Sequence, residues 1–261
     1  MKNNRAIDGF ENEKDFVTKL NKNKKHFYWK IINLTDNSNL YFIRVDGLKY
    51  SKLTKEKILP KSDVYVALVE INNDELVKRN YYLNENDNIK ILEIKKKTGV
   101  SIKMNNTNYQ IDKCSINKFI KRYQSKELFC GATIYSKNVV DFKKNHLVLK
   151  AANTTWRELS KYFKEPLLED INSNTNFMEF HKDIFSNIQK SSYKRIKYET
   201  LNDVKKIDSL FKGSNEFDEP YCANWLLINN NLTSELPNNF YVTKGSSNGG
   251  KNPTVVFKPL R

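Results

Sequence analysis

The chain is short of the residues that build metal–thiolate sites and disulfide frameworks, with three cysteines and three histidines among 261 residues. Cys114, Cys130 and Cys222 form no CxxC pair and have no histidine at ligand spacing, which excludes a zinc-finger pattern. An odd set of thiols reads as reduced and structural, as in an intracellular protein, and His26, His146 and His181, each alone, also read as structural. No apolar run approaches the roughly 18 residues of a membrane span. Met1-Lys2-Asn3-Asn4 leads into charged sequence rather than an apolar signal core, so a cytoplasmic protein without a membrane partner is expected. The glycine-rich stretch 244–251 lacks the GxxxxGK[ST] order, which excludes a P-loop, and there is no internal repeat or long linker.

Acidic residues are also outnumbered, 30 against 45 lysines and arginines, for a formal net charge of +15. A balance this positive suits a polyanion, because lysine and arginine bind nucleic acid by neutralising phosphates and releasing counterions. The bland alternative is a solvated lysine-rich surface from an AT-rich genome. Clustering favours the first reading: residues 90–126 hold ten basic side chains against Glu93 and Asp112, and residues 240–261 hold four basic side chains and no acid.

The periodicity predicts an α/β chain. Asp8 is expected to cap a helix carrying Phe10, Phe16, Val17 and Leu20, which puts Glu13 one turn from Phe16 and Val17, near the buried side. Residues 27–34 and 40–45 fit strands or a helix–strand pair. The run 64–69 is apolar almost throughout, as a strand buried on both faces should be. Segment 72–88 suits a hairpin or short helix, and 89–94 and 100–104 read as strands broken at Thr98-Gly99. Ile116, Phe119, Ile120 and Tyr123 recur at helical spacing. Past residue 150 two stripes, Trp156, Leu159, Tyr162 and Phe163, then Phe177, Phe180, Ile184 and Ile188, read as helical core packing. Residues 221–228 after Pro220 start a buried strand or helix, and 240–243 with 255–257 form a terminal hairpin. The expected organisation is a single domain over 1–261, with a catalytic core over 1–150 and a helical, DNA-recognising part over 151–261.

Asp63, behind Leu59-Pro60-Lys61-Ser62, and the tripeptide Ser101-Ile102-Lys103 outline a metal-dependent nuclease site. Splitting a phosphodiester with water needs a divalent metal on the scissile phosphate and a positive group beside the attacking water, because the transition state gathers negative charge. On a strand Ser101 and Lys103 share a face while Ile102 turns to the core. Serine is a poor ligand for a hard cation beside a carboxylate, so a further acid is needed. Glu13, Glu70 and Asp112 are the open choices, with Glu13 favoured. Glu93-Ile94-Lys95 is a competing acid-x-lysine, or else a solvated strand end running into Lys96 and Lys97. The amide-rich stretch with Asn106, Asn108, Gln110 and Lys113 suits contacts to adenine edges or phosphates, or an ordinary polar turn. Lys244, Ser246, Asn248 and Lys251 suit a duplex backbone, or a flexible hairpin tip.

Several pieces coincide in order: Gly9-Phe10 with Asn12-Glu13-Lys14-Asp15, Lys61-Ser62-Asp63, the x-Ile-Lys strand, Gln110-Ile111-Asp112-Lys113, and the hairpin from Val242-Thr243 to Phe257-Lys258. Together they resemble small type II restriction endonucleases of the PD-(D/E)xK superfamily, in particular those that cut GCGC after its first base. The resemblance touches residues 1–25, 60–125 and 237–261. It implies a restriction-endonuclease-like mixed β-sheet flanked by helices, and Mg²⁺-dependent hydrolysis of double-stranded DNA at a short palindrome, leaving 5′-phosphate ends. It further implies a bacterial monomer or homodimer and a cognate DNA methyltransferase that protects host DNA. By position, Asp63 is the metal ligand, helped by Glu13 and the Ile102 carbonyl, and Lys103 positions or activates water. Ser101 stands where that subgroup has an amide in place of the usual acid. The lysine-to-glutamine interval is shorter than the subgroup pattern, which weakens the transfer of base specificity through Gln110. A non-catalytic nucleic-acid binder and a structure-selective repair nuclease are the other classes open to this sequence.

Overall fold

The structure, a computed structural model, describes residues 4–47, 50, 59–103, 109–137, 142–166, 177–237, 239–245 and 251–260. The strands are β1 (Leu40–Arg44), β2 (Val64–Glu70), β3 (Lys90–Ile94), β4 (Val100–Ile102), β5 (Asp112–Cys114), β6 (Trp225–Ile228), β7 (Asn231–Thr233), β8 (Phe240–Lys244) and β9 (Val255–Pro259). They form a mixed sheet in the order β1-β2-β4-β6-β7, with β3 also on β2, and a second, antiparallel sheet in the order β5-β9-β8. The chain is thus mixed α/β. By internal packing it divides into two compact units, Met1–Thr107 with Asp208–Leu236, and Asn108–Ile207 with Pro237–Arg261. Strand pairing overrides chain order in this division: β6 and β7 return to the first sheet, and β8 and β9 close on β5.

In the first unit, β2 is buried on both faces, as its unbroken apolar run requires. Val64 and Val66 pack with Phe42, Trp29 and the Phe16, Val17 and Leu20 stripe of the helix Asn4–Lys22. Tyr65, Ala67 and Val69 pack on the opposite face with Tyr41, Ile43, Leu76 and Leu83. The N-terminal helix starts at Asn4, so Asp8 lies inside it and does not cap it. The segments left open resolve as a helix–strand pair, Tyr28–Ile31 then β1, and as the short helix Asn73–Lys78, whose cap Asn72 accepts the Glu75 N–H at 2.7 Å.

β3 and β4 lie antiparallel to β2 along one edge, one path interrupted at 95–99. There the Lys95 N–H donates to the Val66 carbonyl at 2.9 Å, and Thr98 Oγ1 accepts the Val66 N–H at 3.0 Å, so the ladder is kept through the break. β6 runs parallel to β4, with Ser101 opposite Leu226 and Ile102 opposite Leu227. The returning segment also fixes the entry to β2. Lys61 and Ser62 donate their backbone N–H groups to the Tyr221 carbonyl at 3.0 and 3.1 Å, and Ser62 Oγ donates to the Pro220 carbonyl at 2.6 Å. Gly99 is needed at this approach because a Cβ would run into the Cys222 carbonyl.

In the second unit the β5-β9-β8 sheet packs on the helix Lys126–Thr133, which in turn packs on the long helix Phe177–Leu201, with Gly131 close against buried Ser192. The side chains of Phe177 and Phe180 lie outside the described residues. The predicted terminal hairpin is β8 on β9, with Val242 opposite Phe257. Among the described residues no helix is long and apolar enough to cross a membrane.

Candidate active site

Three stretches far apart in the chain converge where β2 and β4 meet. Asp63 immediately precedes β2, and its backbone is tied on both sides: its N–H donates to the Val100 carbonyl at 2.8 Å and its carbonyl accepts the Val45 N–H at 2.9 Å. Its Oδ2 accepts the Ile102 N–H at 2.6 Å and the Ser101 hydroxyl at 3.3 Å. Ser101 is completely buried, and this donated bond places it to orient the carboxylate. Lys103 follows β4, anchored by its N–H to the Leu227 carbonyl at 2.9 Å. Ile102 packs against the apolar core, as the alternation predicts.

Glu13 reaches the same place from the N-terminal helix, and Arg44, the last residue of β1, donates from Nε to Glu13 Oε2 at 2.7 Å. Burial and the Asp63 charge push the Glu13 carboxyl up to about 7, against the pull of Arg44 and Lys103. Burial likewise raises Asp63, opposed by Lys103, the Ile102 N–H, the Ser101 hydroxyl and Arg44. The charges of Glu13, Asp63, Lys103 and Arg44 therefore act on one another, so of the open choices Glu13 is the acid brought close to Asp63 and Lys103. A cleft of about 210 Å³ opens at Ile102 and Lys103, with Asn12, Asp15, Lys19 and Asn230 also in its walls.

The other acids have partners of their own. Glu70 pairs with Lys90 at 2.7 Å on an exposed strand end. Glu93 and Lys95 satisfy each other at 2.8 Å. Glu93 stands opposite Leu68, on the order of 16 Å along β2 from Asp63 at ordinary strand rise. Asp112 belongs to the second unit, where it is buried between Lys118 and Arg122 at 2.9 and 2.8 Å.

Of the side chains proposed for DNA contact, Asn106, Asn108, Ser246 and Asn248 lie outside the described residues. Gln110, Lys113 and Lys251 are exposed in the second unit. Lys113 shares a row with Val256 and Thr243, and Lys244 shares the next row with Val255 and Cys114. Adjacent rows of a pleated sheet face opposite ways, so these two lysines do not form one patch. Lys244 instead lies over the Tyr135 ring, 3.1 Å from its centroid. Lys258, two positions past Val256 in sequence, is on the Lys113 face with exposed Tyr241. Arg44 was not foreseen, because an arginine ending an apolar strand has no local mark of function.

Among the described residues no three His, Cys, Asp or Glu side chains gather at one point. Two carboxylates and a backbone carbonyl nevertheless suit magnesium, which keeps several waters and leans on one or two acids. Besides burial, repulsion from Asp63 raises Glu13, and such an ion would relieve that repulsion. Thiol and imidazole ligands, which a softer metal would prefer, are missing from this set. No family model, no curated protein and no solved structure matches the chain.

Proposed function

We propose that this chain is a magnesium-dependent endonuclease that cuts double-stranded DNA at a short palindromic sequence, a type II restriction enzyme with a restriction-endonuclease-like first unit. The observation that carries the reading is the meeting of Glu13, Asp63 and Lys103, supplied by a helix and two strands, in a basic chain. Asp63, Glu13 and the Ile102 carbonyl would hold the ion. Bound magnesium would supply positive charge to a non-bridging phosphate oxygen and acidify a water.

The chain's own residues do the rest. Ser101 and the Ile102 N–H aim the Asp63 carboxylate, and Lys103, on the same strand face as Ser101, sets a positive charge beside the attacking water. In-line attack leaves a 5′-phosphate and a 3′-hydroxyl. Gln110, Lys113 and Lys251, with Lys258, are exposed or half-buried groups of the second unit suited to phosphates and base edges. As a restriction enzyme the protein would work in the bacterial cytoplasm, as a monomer or homodimer, beside a methyltransferase of the same specificity.

One observation favours a second reading: Arg44 pairs with Glu13 at 2.7 Å, as a structural ion pair would in a DNA- or RNA-binding protein without catalysis. Incubating a plasmid with the purified protein in Mg²⁺ and in EDTA separates the possibilities. Discrete bands only in Mg²⁺ are the expected result. A smear means cleavage without sequence preference, and intact plasmid with an EDTA-insensitive gel shift would sink the nuclease reading.

A further inference from the structure

Arg44 reaches the acid pair through strand register. It closes β1 opposite Val64, next to Val45, whose N–H holds the Asp63 carbonyl at 2.9 Å. Its Nε donates to Glu13 at 2.7 Å, its Cζ lies 4.3 Å from the centroid of the Phe10 ring, and its charge acts on the neighbouring Tyr82. A side chain only 21% exposed and gripped on these sides is held in one orientation. Guanidinium carries five N–H donors in a rigid fork that matches paired oxygens. Glu13 is its side-chain hydrogen-bond partner among the described residues, and it uses a minority of that fork.

Charge points the same way. Arg44 and Lys103 formally balance Glu13 and Asp63, whereas hydrolysis brings a phosphodiester anion and gathers more negative charge as the water attacks. A fixed fork beside the acids meets that charge without reorganising. We propose that Arg44 is a phosphate-binding residue of this site, contacting the scissile phosphodiester through its Nη atoms while Nε keeps Glu13 in place. The proposal rests on the nuclease reading above.

The rival is an arginine that only buttresses Glu13, and Arg44→Gln in the full chain separates the two. Duplex affinity would be followed across salt concentration in Ca²⁺, Mn²⁺ binding would be titrated without DNA, and plasmid cleavage would be timed in Mg²⁺. Losing one phosphate contact lowers the slope of log affinity against log salt by about one. Cleavage should fall about 100-fold, as when one donor to transition-state charge is removed. Mn²⁺ affinity should hold or rise, because Glu13 loses a competing cation. An unchanged salt slope with weakened Mn²⁺ binding would overturn the proposal. Arg44→Lys guards against misfolding of the glutamine variant: it should restore the slope but cut slowly for lack of a fork, and wild-type cleavage by it would also overturn the proposal. Unmutated protein that neither binds nor cuts duplex DNA would remove the nuclease reading itself, and the Arg44 role with it.

Discussion

The Asp63 carboxylate accepts the backbone N–H of Ile102 at 2.6 Å. The acid assigned to the metal is thereby also a bracket between the start of β2 and the end of β4, whose direct ladder is short, with Val64 opposite Val100. Asp63→Ala should strand that N–H and cost about 1–3 kcal/mol, while Asp63→Asn keeps an acceptor and costs less. Both should abolish cleavage. Urea unfolding of the two variants beside wild type reads the difference, and an alanine variant as stable as wild type would show that the bracket contributes nothing.

Ser101 is buried and donates to Asp63 at 3.3 Å, a long bond that orients but does not ligate. Ser101→Ala should therefore cost about 1 kcal/mol and slow cleavage by less than about tenfold, one hydrogen bond's share of barrier height. Timed plasmid digestion measures it. A loss as deep as that of the Asp63 variants would make Ser101 part of the chemistry itself.

Lys103 acts through charge on Asp63 and Glu13 and, in the proposed reaction, on the water. Lys103→Ala should reduce cleavage by about 10²–10³ while duplex affinity in Ca²⁺ stays within a few-fold of wild type. Cutting at the normal rate would transfer the lysine's role elsewhere. Glu93→Gln should cut like wild type, because Glu93 pairs with Lys95 and not with Asp63.

Glu13 titrates near 7 instead of 4.5, raised first by burial and then by Asp63. An acid whose pKa rises on folding leaves the folded state holding more protons between the two values, so its contribution is full below 4.5 and lost as pH climbs through about 7. The metal-free protein should therefore lose stability across this window, and Glu13→Gln should lose less. Thermal melts at stepped pH in EDTA compare the two slopes, and parallel curves would refute the assignment. Magnesium must displace the same proton, so its affinity should rise with pH and level off above about 7.

Much of the fold is local and could be read from the chain. β2 is legible because a strand buried on both faces must be apolar throughout, and the helix around Phe16, Val17 and Leu20 because one stripe faces the sheet. The break at Thr98-Gly99 was visible as well, although its cause, the Cys222 carbonyl beside Gly99, lies in a distant segment. Asp63 and Lys103 stood out because an acid at a strand start and a lysine at a strand end keep their spacing whatever the rest does. The open choices at 27–34 and 72–88 were short segments, where helix and strand patterns overlap and tertiary contacts decide.

By itself, then, the sequence determined the charge of the molecule, the buried strands and helix stripes, and two members of the candidate site. Only the tertiary structure decided that Glu13 completes the acid pair, that Arg44 joins it, that Lys113 and Lys244 face apart, and that residues 208–236 finish the first sheet. Periodicity records which face of an element is buried, and that is a local property. Which residues of separate elements meet depends on strand register and order, set by the summed packing of segments far apart in the chain, and no single stretch encodes it.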